Sequence, residues 1–123
     1  METICITCSI KYKDLIRDTI QRFKEFTIVA LYPNLDSGLY EVKEDPDTVK
    51  KLCQDHFEAI NRSEALYVID PKGSIGTLAT VKIGYALGKG KPVYFSEKTD
   101  SIKYNSLCKD VIPLTKIESF KSL

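Results

Sequence analysis

The sequence predicts an α/β domain in which a parallel sheet of four or five strands lies between two layers of helices. This is the three-layer, doubly wound arrangement of flavodoxin-like and Rossmann-like proteins. Short apolar runs rich in β-branched residues alternate with amphipathic helical segments along the chain. The first run is apolar on both faces, as a buried parallel strand is. A length of 123 residues suits one compact core, so a single domain spanning 1–123 is expected.

The predicted elements follow one another in the order strand, helix, strand, long loop, helix, strand, helix and strand. Strands are expected at residues 3–10, 27–31, 65–69 and 92–95, with a short further strand at 111–114. Helices are expected at 13–25, at 45–60 after an Asp-Pro start signal, at 77–89, and briefly within 96–109. No period is visible between residues 34 and 44, which predicts a long loop.

The segment 70–95 combines a strand end, a glycine-bearing loop, a helix and the next strand. Gly73 and Gly76 allow positive φ and close backbone approach, and Thr77 is the expected N-cap of the helix. Such a connection presents unpaired N–H groups and the positive end of a helix dipole to an anionic or polar ligand. It is neither a Walker A loop nor a GxGxxG fingerprint, so an ordinary β-α connection is the alternative.

The predicted topology indicates where a ligand would bind. In doubly wound sheets, ligands lie at the carboxyl ends of the strands where the strand order reverses, here between the first and third strands. This rule selects the segments 9–12, 32–38 and 70–77. A ligand site is therefore expected where these three segments meet.

Composition excludes several classes of function. A net charge of +1 without a basic cluster argues against a nucleic-acid-binding protein. No run approaches the roughly 20 apolar residues that a membrane span needs, and the first apolar run follows Glu2 rather than a basic residue. A cytoplasmic protein without membrane association, metal or cofactor is expected.

The four cysteines are interpreted as buried free thiols. Cys5 and Cys8 match the C-x-x-C spacing of redox proteins, but that chemistry places the first cysteine at a helix N-terminus. Here both lie in a predicted strand, where residues three apart face opposite ways.

The only histidine, His56, lies on the apolar stripe of the second predicted helix. A packed histidine bonded to a backbone carbonyl is the main interpretation, and a role in the ligand site is the alternative.

The order of ICITCSI, a helix, a His-bearing helix and SEALYVIDPKGSIGTLATVKIGYALGKGKPVYF resembles the nucleoside 2-deoxyribosyltransferase-like superfamily, which includes the 2'-deoxynucleoside 5'-phosphate N-hydrolases. The resemblance covers about residues 3–95, and IGYALGKGKPV is its most specific part. It implies that the chain binds a small-molecule nucleoside or nucleotide and cleaves or transfers at an N-glycosidic bond. It also implies a homo-oligomer whose neighbouring subunit completes the site. Leu39, Tyr40, Phe120 and Leu123 are candidates to cover that partner.

The resemblance also identifies a departure from the family at its catalytic position. In these enzymes a glutamate of a Glu-x-Gly-x-Ala helix motif attacks the anomeric carbon, and an aspartate at the end of the preceding strand assists. The corresponding residues here are Lys82, in KIGYA, and Asp70. An ammonium cannot act as a carboxylate nucleophile and would repel an oxocarbenium-like transition state.

Three interpretations of Lys82 follow from this departure. The side chain binds phosphate as a point charge, is solvated with Lys89 on the outer side of the helix, or takes part in catalysis together with Asp70. An enzyme of this kind would need another carboxylate as nucleophile, with Asp36 and Glu41 of the long loop as candidates.

The remaining binding residues implied by the resemblance lie in two loops. Ser9 and Ile10 match the Gly-Ser-Ile segment that contacts 5'-phosphate, with Cys8 in place of its glycine. The second ligand loop is matched by Ser74, Gly76 and Thr77. Tyr12 or Tyr40 is a candidate to stack on a base, and His56 is retained as a further binding candidate.

Several functions remain open at this point. The chain is either an N-glycoside enzyme with Asp70 as acid or base, or a sensor or pseudoenzyme that binds without turnover. A receiver-type signalling domain is disfavoured, because its Mg²⁺ requires acidic residues where this chain has Cys8-Ser9-Ile10. A flavin-binding protein is suggested by analogy of fold alone.

Overall fold

A computed structural model describes residues 1–123 and contains one five-stranded sheet. The strands are β1 (Thr3–Thr7), β2 (Val29–Leu31), β3 (Ala65–Val68), β4 (Val93–Phe95) and β5 (Asp110–Val111). Every pairing is parallel, and the spatial order is β2-β1-β3-β4-β5. This confirms the predicted doubly wound α/β class. The chain moves outward from β1 in one direction to β2 and in the other to β3, so the strand order reverses between β1 and β3.

Helices cover both faces of the sheet. The helices are α1 (Lys13–Glu25), α2 (Pro46–Asn61), α3 (Thr77–Gly88) and α4 (Ile102–Leu107), and short 3-10 turns occupy Ile10–Tyr12, Pro71–Gly73 and Leu114–Ser122. One core cluster joins the sheet to α1 and the C-terminal 3-10 segment, and a second joins the opposite face to α2 and α3. None of the helices is both long and apolar enough to cross a membrane.

The start of α2 agrees with its sequence signal. Pro46 occupies the first helical position, and the Asp45 carboxylate accepts a hydrogen bond of 3.0 Å from the Thr48 backbone N–H. This side chain satisfies one of the N–H groups that a helix start leaves without a partner. The predicted loop before it, residues 34–44, contains only turns and bends.

Strand ends differ from the prediction for local backbone reasons. β1 stops at Thr7 rather than at Ile10, because residues 10–12 turn into a 3-10 helix at the carboxyl edge. β2 begins only at Val29, since Thr27 has a φ of 59°, which is incompatible with a strand.

The loop before α3 corrects two predictions. The N-cap is Gly76, and Thr77 is already the first helical residue. Gly76 has a φ of −83° in open space, so it does not require glycine for its conformation. Gly73 does, because its φ is +71° and a Cβ there would lie 3.1 Å from the Lys98 carbonyl oxygen.

The C-terminal segment is part of the core. Phe120 is fully buried and makes edge contacts with Phe23, Tyr67 and Tyr94, at ring-centroid distances of 5.5, 4.9 and 5.2 Å. The expectation that Phe120 covers a partner subunit is therefore wrong, because its own chain buries it. Leu123, which is 53% exposed, remains accessible.

Replacing Phe120 tests how much this segment contributes to stability. We expect Phe120→Ala to lower the free energy of unfolding by about 3–5 kcal/mol, because it removes a buried ring and leaves a cavity among three aromatic side chains. Urea unfolding measures the change, with Leu123→Ala as the exposed control, expected to stay within about 0.5 kcal/mol of wild type. Equal losses in the two variants would contradict the packing role of Phe120.

Candidate functional site: a cleft between β1 and β3

A cleft of about 530 Å³ opens at the carboxyl edge of the sheet, where the strand order reverses. This volume is in the usual range for small-molecule sites. The lining comes from the end of β1 and the turn after it, the long loop, α2, the end of β3 and the N-terminal half of α3. The position agrees with the switch-point rule applied to the sequence.

Most of the residues singled out in the sequence meet in this cleft. The predicted residues that line it are Ser9, Ile10, Tyr12, Ser74, Gly76, Thr77 and Lys82, together with Tyr40. Two predicted residues, His56 and Asp70, do not line it. Both are completely buried beside it.

The N-terminus of α3 faces the cleft. Gly76, Thr77, Leu78 and Ala79 all belong to the lining, and no side chain caps the helix start. The first N–H groups of a helix have no acceptor within the helix, and the macrodipole places partial positive charge there. This end of the cleft therefore favours an anionic group.

The charged side chains of the lining are two lysines and one glutamate, namely Lys11, Lys82 and Glu44. The carboxylates named from the sequence lie elsewhere. Asp36 pairs with Arg17, and Glu41 pairs with Lys13 at 3.2 Å, so neither contributes to the cleft. The lining therefore has one more basic than acidic side chain, which favours an anionic ligand as the start of α3 does.

Lys82 is buried in the cleft wall. Its side chain is on the inner side of α3 and only 6% of the residue is exposed, which overturns the interpretation of a solvated lysine beside Lys89. No hydrogen bond or ion pair satisfies its ammonium. Burial lowers the pKa of Lys82, since the charged form loses its hydration.

The surroundings of Lys82 contain no opposing charge. The groups that interact electrostatically with it are the thiols of Cys5 and Cys53 and the imidazole of His56. None of these is a carboxylate, and the Glu44 side chain makes no ion pair with Lys82. A ligand in this cleft would therefore lie close to an amine that has no hydrogen-bond or ion-pair partner within the protein.

Asp70 ties the β3 end to the segment that follows β4. Its Oδ1 accepts hydrogen bonds from Ser96 N (3.1 Å), Ser96 Oγ (2.9 Å) and Glu97 N (3.0 Å), while Oδ2 has no partner. Burial raises the pKa of Asp70 despite these bonds. Asp70 is completely buried, and its hydrogen bonds to Ser96 and Glu97 support a structural role. Its role as a catalytic acid or base stays a prediction.

Two substitutions separate a structural from a catalytic role for Asp70. Asp70→Ala leaves the donors of Ser96 and Glu97 without their acceptor, and we expect it to lower the free energy of unfolding by about 3 kcal/mol. Asp70→Asn keeps an acceptor oxygen, so we expect a smaller loss and unchanged ligand affinity. Thermal unfolding and calorimetric titration measure these quantities; a ligand affinity that collapses in a stable Asp70→Asn protein would contradict the structural role.

His56 is packed inside the protein as its main interpretation predicts. Its Nδ1 lies 3.2 Å from the Leu52 carbonyl oxygen, which fixes the proton on Nδ1, and its ring meets Tyr32 edge-on at 5.0 Å. Nε2 is buried without a partner. Burial, with the nearby Lys82 as the second cause, lowers the pKa of His56 to about 3.

This pKa predicts acid sensitivity. Because His56 titrates at about 3 in the folded protein against 6.5 ordinarily, the unfolded chain binds the proton first as the pH falls. The stability it contributes is complete above pH 6.5 and is lost between there and pH 3, by about 1.4 kcal/mol per pH unit. We expect His56→Leu to flatten this part of the curve in urea unfolding; parallel curves for the two proteins would contradict the assignment.

Comparisons with known proteins agree with this architecture. No family model matches the chain, and no curated protein matches it in sequence. Among solved structures, the 2-deoxyribosyltransferase of Bacillus psychrosaccharolyticus superposes with a TM-score of 0.65 at 15% identity, covering 94% of this chain and 90% of that one. The CMP N-glycosidase BcmB of Clostridium botulinum superposes with a TM-score of 0.59 at 15% identity, covering 98% of each chain.

The chain shares its fold with these two proteins. The fold implied by the sequence resemblance is thereby confirmed.

Within this deoxyribosyltransferase-like fold, Cys5 and Cys8 belong to opposite faces of the sheet. Cys5 packs in the core cluster beneath α2 and α3, and Cys8 packs in the cluster beneath α1. Burial raises the pKa of each thiol to about 12, so neither is a ready thiolate. The interpretation as buried free thiols is confirmed for this pair.

Several residues that line the cleft were not named as site candidates from the sequence, although Tyr32 lies in the predicted segment 32–38. Tyr32 lies where β2 ends, and its hydroxyl donates a 2.7 Å hydrogen bond to the Cys8 carbonyl oxygen. Leu39, Val42 and Glu44 come from the long loop, which folds back over the cleft. The segment 32–38 was selected by the switch-point rule, but no period in 39–44 distinguished the residues that return to the site.

Proposed function

We propose that the protein binds a nucleoside or a nucleoside 5'-monophosphate in the cleft between β1 and β3. The observation that carries this proposal is the lining of the cleft, which combines an apolar, tyrosine-rich wall with an uncapped helix N-terminus, two lysines and a single carboxylate. A base would pack against Tyr12, Tyr32 or Tyr40, and a 5'-phosphate would bind near Ser9 and the start of α3.

The solved structures with this fold support the choice of ligand. One is described as a 2-deoxyribosyltransferase and the other as a CMP N-glycosidase, and both superpose over nearly the whole chain. A shared fold with a cleft at its switch point favours related ligands without deciding the reaction.

Lys82 is the reason to propose binding without the family's carboxylate mechanism. The sequence resemblance aligns Lys82 with the glutamate nucleophile, and the cleft exposes no carboxylate on α3 to replace it. An amine there provides neither a glycosyl ester intermediate nor stabilisation of a developing oxocarbenium ion. The function we propose is therefore that of a nucleotide-binding pseudoenzyme or sensor.

A second candidate function is N-glycosidic cleavage with Glu44 in place of the family nucleophile. One observation favours it: Glu44 is the single carboxylate of the lining. Because Glu44 lies in the long loop and not on α3, it would attack the anomeric carbon from a different position than the family's glutamate.

Binding and turnover are tested together with free nucleosides and their 5'-monophosphates. Calorimetric titration and thermal unfolding measure binding, and chromatography measures release of the base. We expect a monophosphate at 100 times its Kd to raise the free energy of unfolding by roughly 2.7 kcal/mol, without base release by the wild-type protein. We expect base release to appear in Lys82→Glu and to stay absent in the matched variant Lys82→Gln.

The alternative outcomes decide between the two candidates. Base release by the wild-type protein that Glu44→Gln abolishes would replace the pseudoenzyme by an enzyme. The absence of any thermal or calorimetric response across the whole panel would contradict both functions.

A further inference from the structure

The amine of Lys82 is a reactive group, and the proposed binding function does not explain why it is buried in the cleft wall. It faces the cleft, is nine-tenths buried and has no hydrogen-bond partner or counter-ion. Burial removes much of the hydration of a charged Lys82 ammonium, and no opposing charge compensates for this loss. The neutral amine carries no such cost and has a free lone pair on nitrogen.

A desolvated lysine in a largely apolar pocket is the usual setting of an amine that condenses with carbonyl compounds. The neighbouring Cys5, Cys53 and His56 offer no carboxylate that would hold the proton on Lys82. The lowered pKa of Lys82 and the neutral state of His56 agree with this setting.

We propose that Lys82 captures the aldehyde of a small open-chain aldose as an imine. The nitrogen lone pair attacks the carbonyl carbon, a C–N bond forms, and the C=O π electrons move to oxygen. A proton passes from nitrogen to that oxygen to give a carbinolamine. Loss of water then leaves the C=N bond, so the overall change is amine plus aldehyde to imine plus water.

The lining favours a sugar over an apolar aldehyde. The hydroxyls of Ser9, Ser74 and Thr77 line the same cleft and have no hydrogen-bond partner within the protein. Polyhydroxylated ligands pair with such groups, whereas an alkyl chain would leave them unsatisfied. A pentose is much smaller than the cleft volume of about 530 Å³.

Reductive trapping tests the inference. The intact protein is incubated at neutral pH with 2-deoxyribose, ribose or butanal in the presence of cyanoborohydride, whose hydride reduces the imine carbon to a stable secondary amine. Intact-mass measurement and peptide mapping locate the label. We expect single labelling by the pentoses at Lys82, on the order of tenfold faster than at any exposed lysine, because the cleft holds the sugar beside this amine and burial favours its neutral form.

Two variants control for non-specific reaction. Lys82→Met keeps the length of the side chain and removes the amine, so we expect the single label to disappear. Lys89→Met removes an exposed lysine of the same segment, outside the lining, and should label like wild type. Circular dichroism checks that each variant is folded, and peptide mapping of the wild-type protein gives the site without any variant.

Several results would overturn the inference. Labels spread evenly over the lysines, as in the protein unfolded in urea, would remove the special role of Lys82. Labelling by butanal alone would exclude the aldose, and persistence of the single label in Lys82→Met would place the reaction elsewhere. Because this test uses free sugars, it is independent of nucleotide binding, which the calorimetric experiment measures separately.

Discussion

The reversal of strand order between β1 and β3 is the constraint on which the rest of this molecule depends. The crossover through α1 covers one face of the sheet, and the crossovers through α2 and α3 cover the other. The connections diverge at the carboxyl edge, so no helix fills the space above β1 and β3. Polar backbone at the strand ends and the N-terminus of α3 therefore face a common cleft.

The loop after β3 is held in place by interactions outside that cleft. Asp70 accepts hydrogen bonds from Ser96 and Glu97, and Gly73 packs its backbone against Lys98 and Thr99. This attachment positions Ser74 and Gly76 at the cleft, whereas Asp70 is buried and does not line it. In this structure the Asp70 carboxyl links the end of β3 to the segment after β4.

The chemistry of the cleft depends on Lys82. α3 carries no other charged residue between Thr77 and Gly88, and its single lysine lies on the buried side. Because Lys82 has no counter-ion, its amine either pairs with a bound ligand or is kept neutral by its buried surroundings. Either state differs from that of a carboxylate, which is the group that carries the mechanism of retaining glycosidases.

The sequence by itself determined the order of the elements and the edge of the sheet where the site lies. Apolar runs with β-branched residues, helical periods and the Asp45-Pro46 start signal are local properties, and local propensity and patterning specify them. The resemblance also predicted, from Lys82 alone, that the family's carboxylate is missing at this position.

Tertiary structure alone decided which side chains reach the cleft. The helical periodicity of the sequence did not predict that Lys82 is buried. The buried face of α3 packs against α2 and the sheet, and these contacts join residues that are far apart in the sequence. Likewise, the sequence did not predict that Asp70 is buried outside the lining or that Glu44 belongs to it. The hydrogen bonds of Asp70 to Ser96 and the return of the long loop depend on contacts that no local pattern encodes.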